Sequence, residues 1–162
     1  MSHSFLFNRE KIMIRDDITA ALVAAMKGGD KPKTATIRLI QAAIKNRDIE
    51  ARTGKAPTDD DLFVTEVMQK MVKQRRESID LYVKGGRQEL ADIEAAEIVI
   101  IEAFLPQQMS DAETSAAIEA IKAELGAETV KDMGRVMATL KDRHAANLDM
   151  SKASALVKAA LS

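Results

Sequence analysis

From Ile14 onward, apolar residues recur every three or four positions, and no stretch alternates apolar with polar in the manner of a strand. Ile14, Ile18, Leu22 and Ala25 make the first helical stripe. Gly28-Gly29 ends it, because glycine takes a left-handed cap at no steric cost. Pro32 then falls in the first turn of a second helix, where its missing N–H is harmless. That helix buries Ile37, Ile40 and Ile44, runs to Arg52 and stops at Thr53-Gly54.

A third helix is predicted over residues 59 to 84, capped by Thr58, with Asp59, Asp60 and Asp61 in its first turn, where carboxylates suit the helix dipole. Its stripe is Val64, Val67, Met68, Met71, Ile79 and Tyr82, and Gly85-Gly86 ends it. A fourth helix carries Leu90, Ile93, Ile98, Ile101 and Phe104 and stops before Pro106. Ser110 and Glu113 have the spacing of a capping box. The fifth helix, behind it, buries Ile118, Ile121 and Leu125 and ends at Gly126. A sixth carries Val130, Met133, Met137 and Leu140; a seventh, capped by Ser151, carries Leu156, Val157 and Leu161. The fold class is all-α: an N-terminal helical domain over residues 13–106, a hinge near Pro106 to Ser110, and a three-helix C-terminal domain over 107–162. Residues 1–12, MSHSFLFNREKI, lack helical periodicity and the apolar core of a secretory signal, and are read as an extension.

Composition narrows the chemistry. The chain has 162 residues, enough for one domain or two small helical ones. It has no cysteine, which removes disulfides, thiolate nucleophiles and Cys-based metal sites, and suits a cytoplasmic location. No apolar run approaches the roughly 18 residues that span a bilayer. The two glycine pairs fit neither GxGxxG nor GxxxxGK[ST]. His3 and His144 have no second histidine at ligand spacing, and His144 is read as a surface residue near a helix end. Asp59 to Asp61 read as helix-start residues rather than a metal site. Glu94 and Glu97 have the spacing of an acid–base pair, but Glu97 lies beside the apolar stripe. Arg75, which shares the azimuth of Met68 and Tyr82, is its expected ion-pair partner. The sequence therefore shows no catalytic centre, metal site or cofactor site, and points to a binding protein.

Net charge is −1, but residues 1 to 84 hold 16 Lys/Arg against 12 Asp/Glu, and the remainder hold 8 against 13. Within the basic half, Lys31, Arg38, Lys45 and Arg52 are spaced by seven on the second helix. Such a stripe drifts about 60° over three heptads and places a charge every ~10 Å. That suits a phosphate backbone, with Lys70, Lys73, Arg76 and Lys84 extending it from the third helix. Aromatics are 3% of the chain, too few for single-strand stacking, so a structured or tRNA-like RNA is the expected target.

Several segments resemble the YqeY family: RLIQAAI at 38–44, KQRRESI at 73–79, GRQELADIEAAEIVII at 86–101, FLPQQMS at 104–110 and DMGRVM at 132–137. Members share a domain with the C-terminal tail of GatB, the B subunit of the tRNA-dependent amidotransferase. The resemblance covers Met13 to Leu161. It implies an N-terminal helical bundle followed by a three-helix tail domain of the GatB/YqeY type. It also implies tRNA recognition, or docking on an amidotransferase or aminoacyl-tRNA synthetase. The family label, carbon–nitrogen ligase with glutamine as amide donor, is read as inherited from the shared domain. Gly134, inside a helix of that tail, is expected to let another helix approach closely. The sequence departs from the resemblance at HAANLDMSK, residues 144–152, where many relatives carry a glycine-containing loop.

Overall fold

The structure, a computed structural model, describes residues 13–162. The extension assigned to residues 1–12, His3 included, lies outside them. The described residues are helical and contain no strand. Seven α-helices run in order: α1 (Ile14–Lys27), α2 (Lys31–Ala51), α3 (Asp60–Lys84), α4 (Gln88–Glu102), α5 (Asp111–Leu125), α6 (Met133–His144) and α7 (Met150–Ala160). Two short 3-10 turns, Val130–Asp132 and Ala145–Asn147, flank α6. The chain divides into two compact units, the first ending at Leu105 and the second running from Pro106 to Ser162.

In the first unit, α3 and α4 form a helical hairpin through the turn at Gly85-Gly86, where Gly86 takes φ +72°. α2 packs on α1, α3 and α4. One core joins Ile18 of α1, Ile37 and Ile40 of α2, Val64 and Met68 of α3 and Ile101 of α4. The cap of α3 is Asp59 rather than Thr58: its carboxylate accepts from the Leu62 N–H at 3.2 Å. Ile93, expected on the core stripe of α4, is 57% exposed instead. The buried side of α4 is set by Ala91, Ile98 and Ile101, from which Ile93 is turned away.

The second unit has its own core of Ile118 and Ile121 from α5, Val136 and Leu140 from α6, and Ala153 and Val157 from α7. Both halves of the Ser110–Glu113 capping box are formed at α5, and Gly126 closes that helix in the left-handed region at φ +63°. Val130, expected on the α6 stripe, lies in the preceding 3-10 turn and is exposed. The α7 cap is Asp149, whose side chain accepts from the Ser151 N–H. The segment expected to act as a hinge is tied down within this unit. The Met109 N–H donates to the Asn147 carbonyl at 2.7 Å, and the Asn147 and Gln108 side chains donate to the carbonyls of Gln107 and Ala146.

Candidate nucleic-acid interface

The register of α2 decides which way its charges face. Burying Thr36, Ile37, Ile40 and Ile44 leaves Lys31, Arg38, Lys45 and Arg52 exposed. Arg52 is the C-cap residue of the helix. Lys31 and Arg38 border one hollow of about 320 Å³, with Met26 and Thr34 in its lining. The Arg38 guanidinium points a nitrogen at Met26 Sδ, 3.5 Å away. Lys45 lines a neighbouring hollow of about 210 Å³ between α1 and α2, alongside Arg15, Gln41 and Asp48.

The arginines fall into two groups. Nine lie in the described residues, and seven of them (Arg15, Arg47, Arg75, Arg76, Arg87, Arg135 and Arg143) make ion pairs with Asp or Glu. The two without an ion pair among the described residues are Arg38 and Arg52, both on the α2 edge. Lys31 and Lys45 likewise have none there.

The α3 residues expected to extend this edge are placed differently. Lys70 lines a cleft of about 540 Å³ between α2 and α3, together with Arg47, Glu50 and Glu66. Arg76 pairs with Glu102 of α4 at 3.5 Å. Lys73 is half-buried, and Lys84 is exposed in the last turn of α3. The structure thus brings Lys31 and Arg38 together, with Lys45 and Arg52 further along the same helix edge, and sets Lys70 in another groove.

Arg75 is held between α3 and α4. It donates to Glu97 at 3.0 Å and to the Met71 carbonyl at 3.3 Å, and Glu94 lies 3.8 Å away. Both carboxylates that could have served as an acid–base pair are therefore turned toward one guanidinium. The three aspartates at the start of α3 have three different partners. Asp59 caps the helix, Asp61 accepts from the Ile14 N–H at 2.9 Å, and Asp60 pairs with Arg15. Arg15 also reaches Asp48 at 3.0 Å, so one guanidinium joins α1, α2 and α3. Its hydrogen bonds hold the Asp60 carboxyl below the usual range. Sequence reasoning missed this network, since Arg15 and Asp60 are 45 positions apart and share no local pattern. His144 is half-exposed in the last turn of α6. At Gly134 the expected close approach does not occur. The residue is exposed, and nothing lies within 4 Å of where a Cβ would sit.

The sequence model of the family described as YqeY-like protein matches residues 15–161. The chain belongs to the YqeY family. Among curated proteins, this YqeY-family chain is 38% identical over 84 residues to Altered inheritance of mitochondria protein 41, mitochondrial, of Eremothecium gossypii, covering 52% of the chain and 44% of that protein. The protein of the same name from Vanderwaltozyma polyspora is 30% identical over 119 residues, 69% of the chain and 62% of its own length. The one from Pyrenophora tritici-repentis is 32% identical over 132 residues, 78% and 70%. The chain therefore spans less than two thirds of the length of the first two. These relatives are named as mitochondrial proteins, which overturns the expected cytoplasmic location. The absence of cysteine suits any reducing compartment and does not single one out.

Proposed function

We propose that the chain binds structured RNA of tRNA-like shape along the outer edge of α2, through Lys31, Arg38, Lys45 and Arg52. The observation that carries this reading is the separation of the nine described arginines into seven with acidic partners and two without one among the described residues, both on that edge. An exposed cation with no acidic partner gives up no ion pair when a phosphate arrives, and the phosphate releases its condensed counterions. The spacing of about 10 Å along the helix supports contact with a backbone rather than with one anion. In this reading the protein recognises RNA and leaves chemistry to a separate machine, as the resemblance to the GatB tail implies.

The test is a gel shift with unfractionated tRNA. The Arg38→Glu/Lys45→Glu double variant is expected to lose most of its binding while keeping its helical circular dichroism. Binding equal to wild type would remove the α2 edge from the account. A parallel incubation of the chain alone with glutamine, ATP and misacylated tRNA is expected to give no amidated product.

A further inference from the structure

The cations of α2 have unlike surroundings. The cleft toward α3 has Glu50 and Glu66 in its lining, and the hollow that holds Lys45 has Asp48. The hollow bordered by Lys31 and Arg38 has no carboxylate among the described residues that line it. Two cations without an ion pair among the described residues therefore share one concavity. The surrounding chain adds to that charge: residues 18–47 hold six Lys or Arg and one acid, Asp30. The Asp30 carboxylate is the cap of α2, accepting from the Lys33 N–H at 3.1 Å.

The charged groups of this hollow are those two side chains. The Thr34 hydroxyl donates to the Asp30 carbonyl at 2.8 Å and the Thr34 N–H to the same oxygen at 3.0 Å, so both donors are already engaged. The Arg38 guanidinium donates to Met26 Sδ at 3.5 Å, and a thioether is a weak acceptor that a charged oxygen displaces. Ala25, Met26 and Ala35 supply an apolar wall. At about 320 Å³ the hollow falls at the lower end of small-molecule sites, roughly 300–1,000 Å³. That is room for a phosphate together with the sugar that carries it.

We propose that this hollow holds the phosphorylated end of an RNA, with a phosphomonoester between Lys31 and Arg38 and its sugar against Met26. A monoester carries a charge of about −1.5 to −2 at pH 7, which two cations match. A backbone diester carries a single charge and is matched by one. Lys31 is also the first residue of α2, so the cationic stripe starts at the hollow and continues one way, through Lys45 to Arg52. An RNA whose terminal phosphate sits there lays its backbone along the remaining cations. The inference rests on the RNA reading of this edge and adds which part of the RNA the edge grips. A free nucleotide offers the same chemistry, and the test separates the two.

The test is a gel shift of the full chain with unfractionated tRNA, before and after phosphatase removes the terminal phosphate. Wild type is expected to bind the phosphorylated form about tenfold more tightly, the effect of one charge-assisted contact. Lys31→Gln/Arg38→Gln is expected to bind both forms equally, whereas Lys45→Gln weakens both and keeps their ratio. All three side chains are exposed, and circular dichroism checks that the variants stay folded. Equal binding of the two forms by wild type overturns the proposal and leaves the RNA reading standing. A ratio that survives in Lys31→Gln/Arg38→Gln also overturns it, because the phosphate is then held elsewhere. If neither form binds, the RNA reading fails, and calorimetric titration with AMP and with adenosine decides the hollow on its own. AMP bound by wild type and lost in the double variant, with adenosine bound by neither, keeps the phosphomonoester site as one for a free nucleotide. AMP binding that is absent, or unchanged in the double variant, overturns it.

Discussion

Arg75 is the most enclosed of the ion-paired arginines, with its side chain 14% exposed and that of Glu97 21%. Removing the cation leaves Glu97 part-buried beside Glu94, two like charges with no counterion between them. Arg75→Met is therefore expected to destabilise the first unit by about 2 kcal/mol, less than a fully buried pair would cost because water still reaches it. The double variant Arg75→Met/Glu97→Gln is expected to recover part of that loss, and urea unfolding of the set measures it. Gly134 works in the opposite direction. It sits in a helix with open space around its Cβ position, so its backbone freedom costs stability without giving a contact. Gly134→Ala is expected to stabilise the second unit by about 0.5–1 kcal/mol, seen as a higher Tm. A lower Tm would show that something approaches this position closely. Arg75's place on an apolar stripe can be read from heptad spacing. The partners of Arg15 cannot, because they lie 33 and 45 residues away.

At the scale of elements, what is local in sequence is legible and what depends on a neighbour is not. The α5 capping box is visible because Ser110 and Glu113 are three apart, and the stop at Gly126 because only glycine takes a left-handed turn freely. The cap of α7 is ambiguous, since Asp149 and Ser151 are both good caps two residues apart. The register of α4 is harder to read, because Ile93 and Val99 are exposed on the side that also carries Glu89 and Asp92, while Ala91, Ile98 and Ile101 are buried. The turn before α6 supplies a pH-dependent element. Asp132 accepts from the N–H groups of Glu128 and Thr129 and from Arg135, which hold its carboxyl at about 2 against an ordinary 3.8. With the folded value the lower one, the stabilisation is fully present above the unfolded value and is lost as pH falls through the folded one. The stability difference between wild type and Asp132→Asn is therefore expected to shrink as pH falls from about 4 to about 2. A difference that stays constant across that range in thermal unfolding would contradict the assignment.

At the scale of the whole molecule, the two units have separate cores, and charge is unevenly distributed along the chain. The basic excess lies in residues 1 to 84, where the exposed edge of α2 carries four cations without ion pairs among the described residues. The heptad spacing of that edge was legible in the sequence. The fate of the α3 cations was not, because Arg76 answers Glu102 on another helix and Lys70 opens into a different cleft. Membership of the YqeY family accounts for the order of elements but leaves the ligand to be decided by the surface. The most direct measurement is the salt dependence of tRNA affinity. If four phosphates are neutralised at the α2 edge, log K falls against log salt with a slope of about −3.6, and Arg38→Glu/Lys45→Glu flattens it to about −1.8 or less. A slope near zero, or one that the double variant leaves unchanged, would contradict the account.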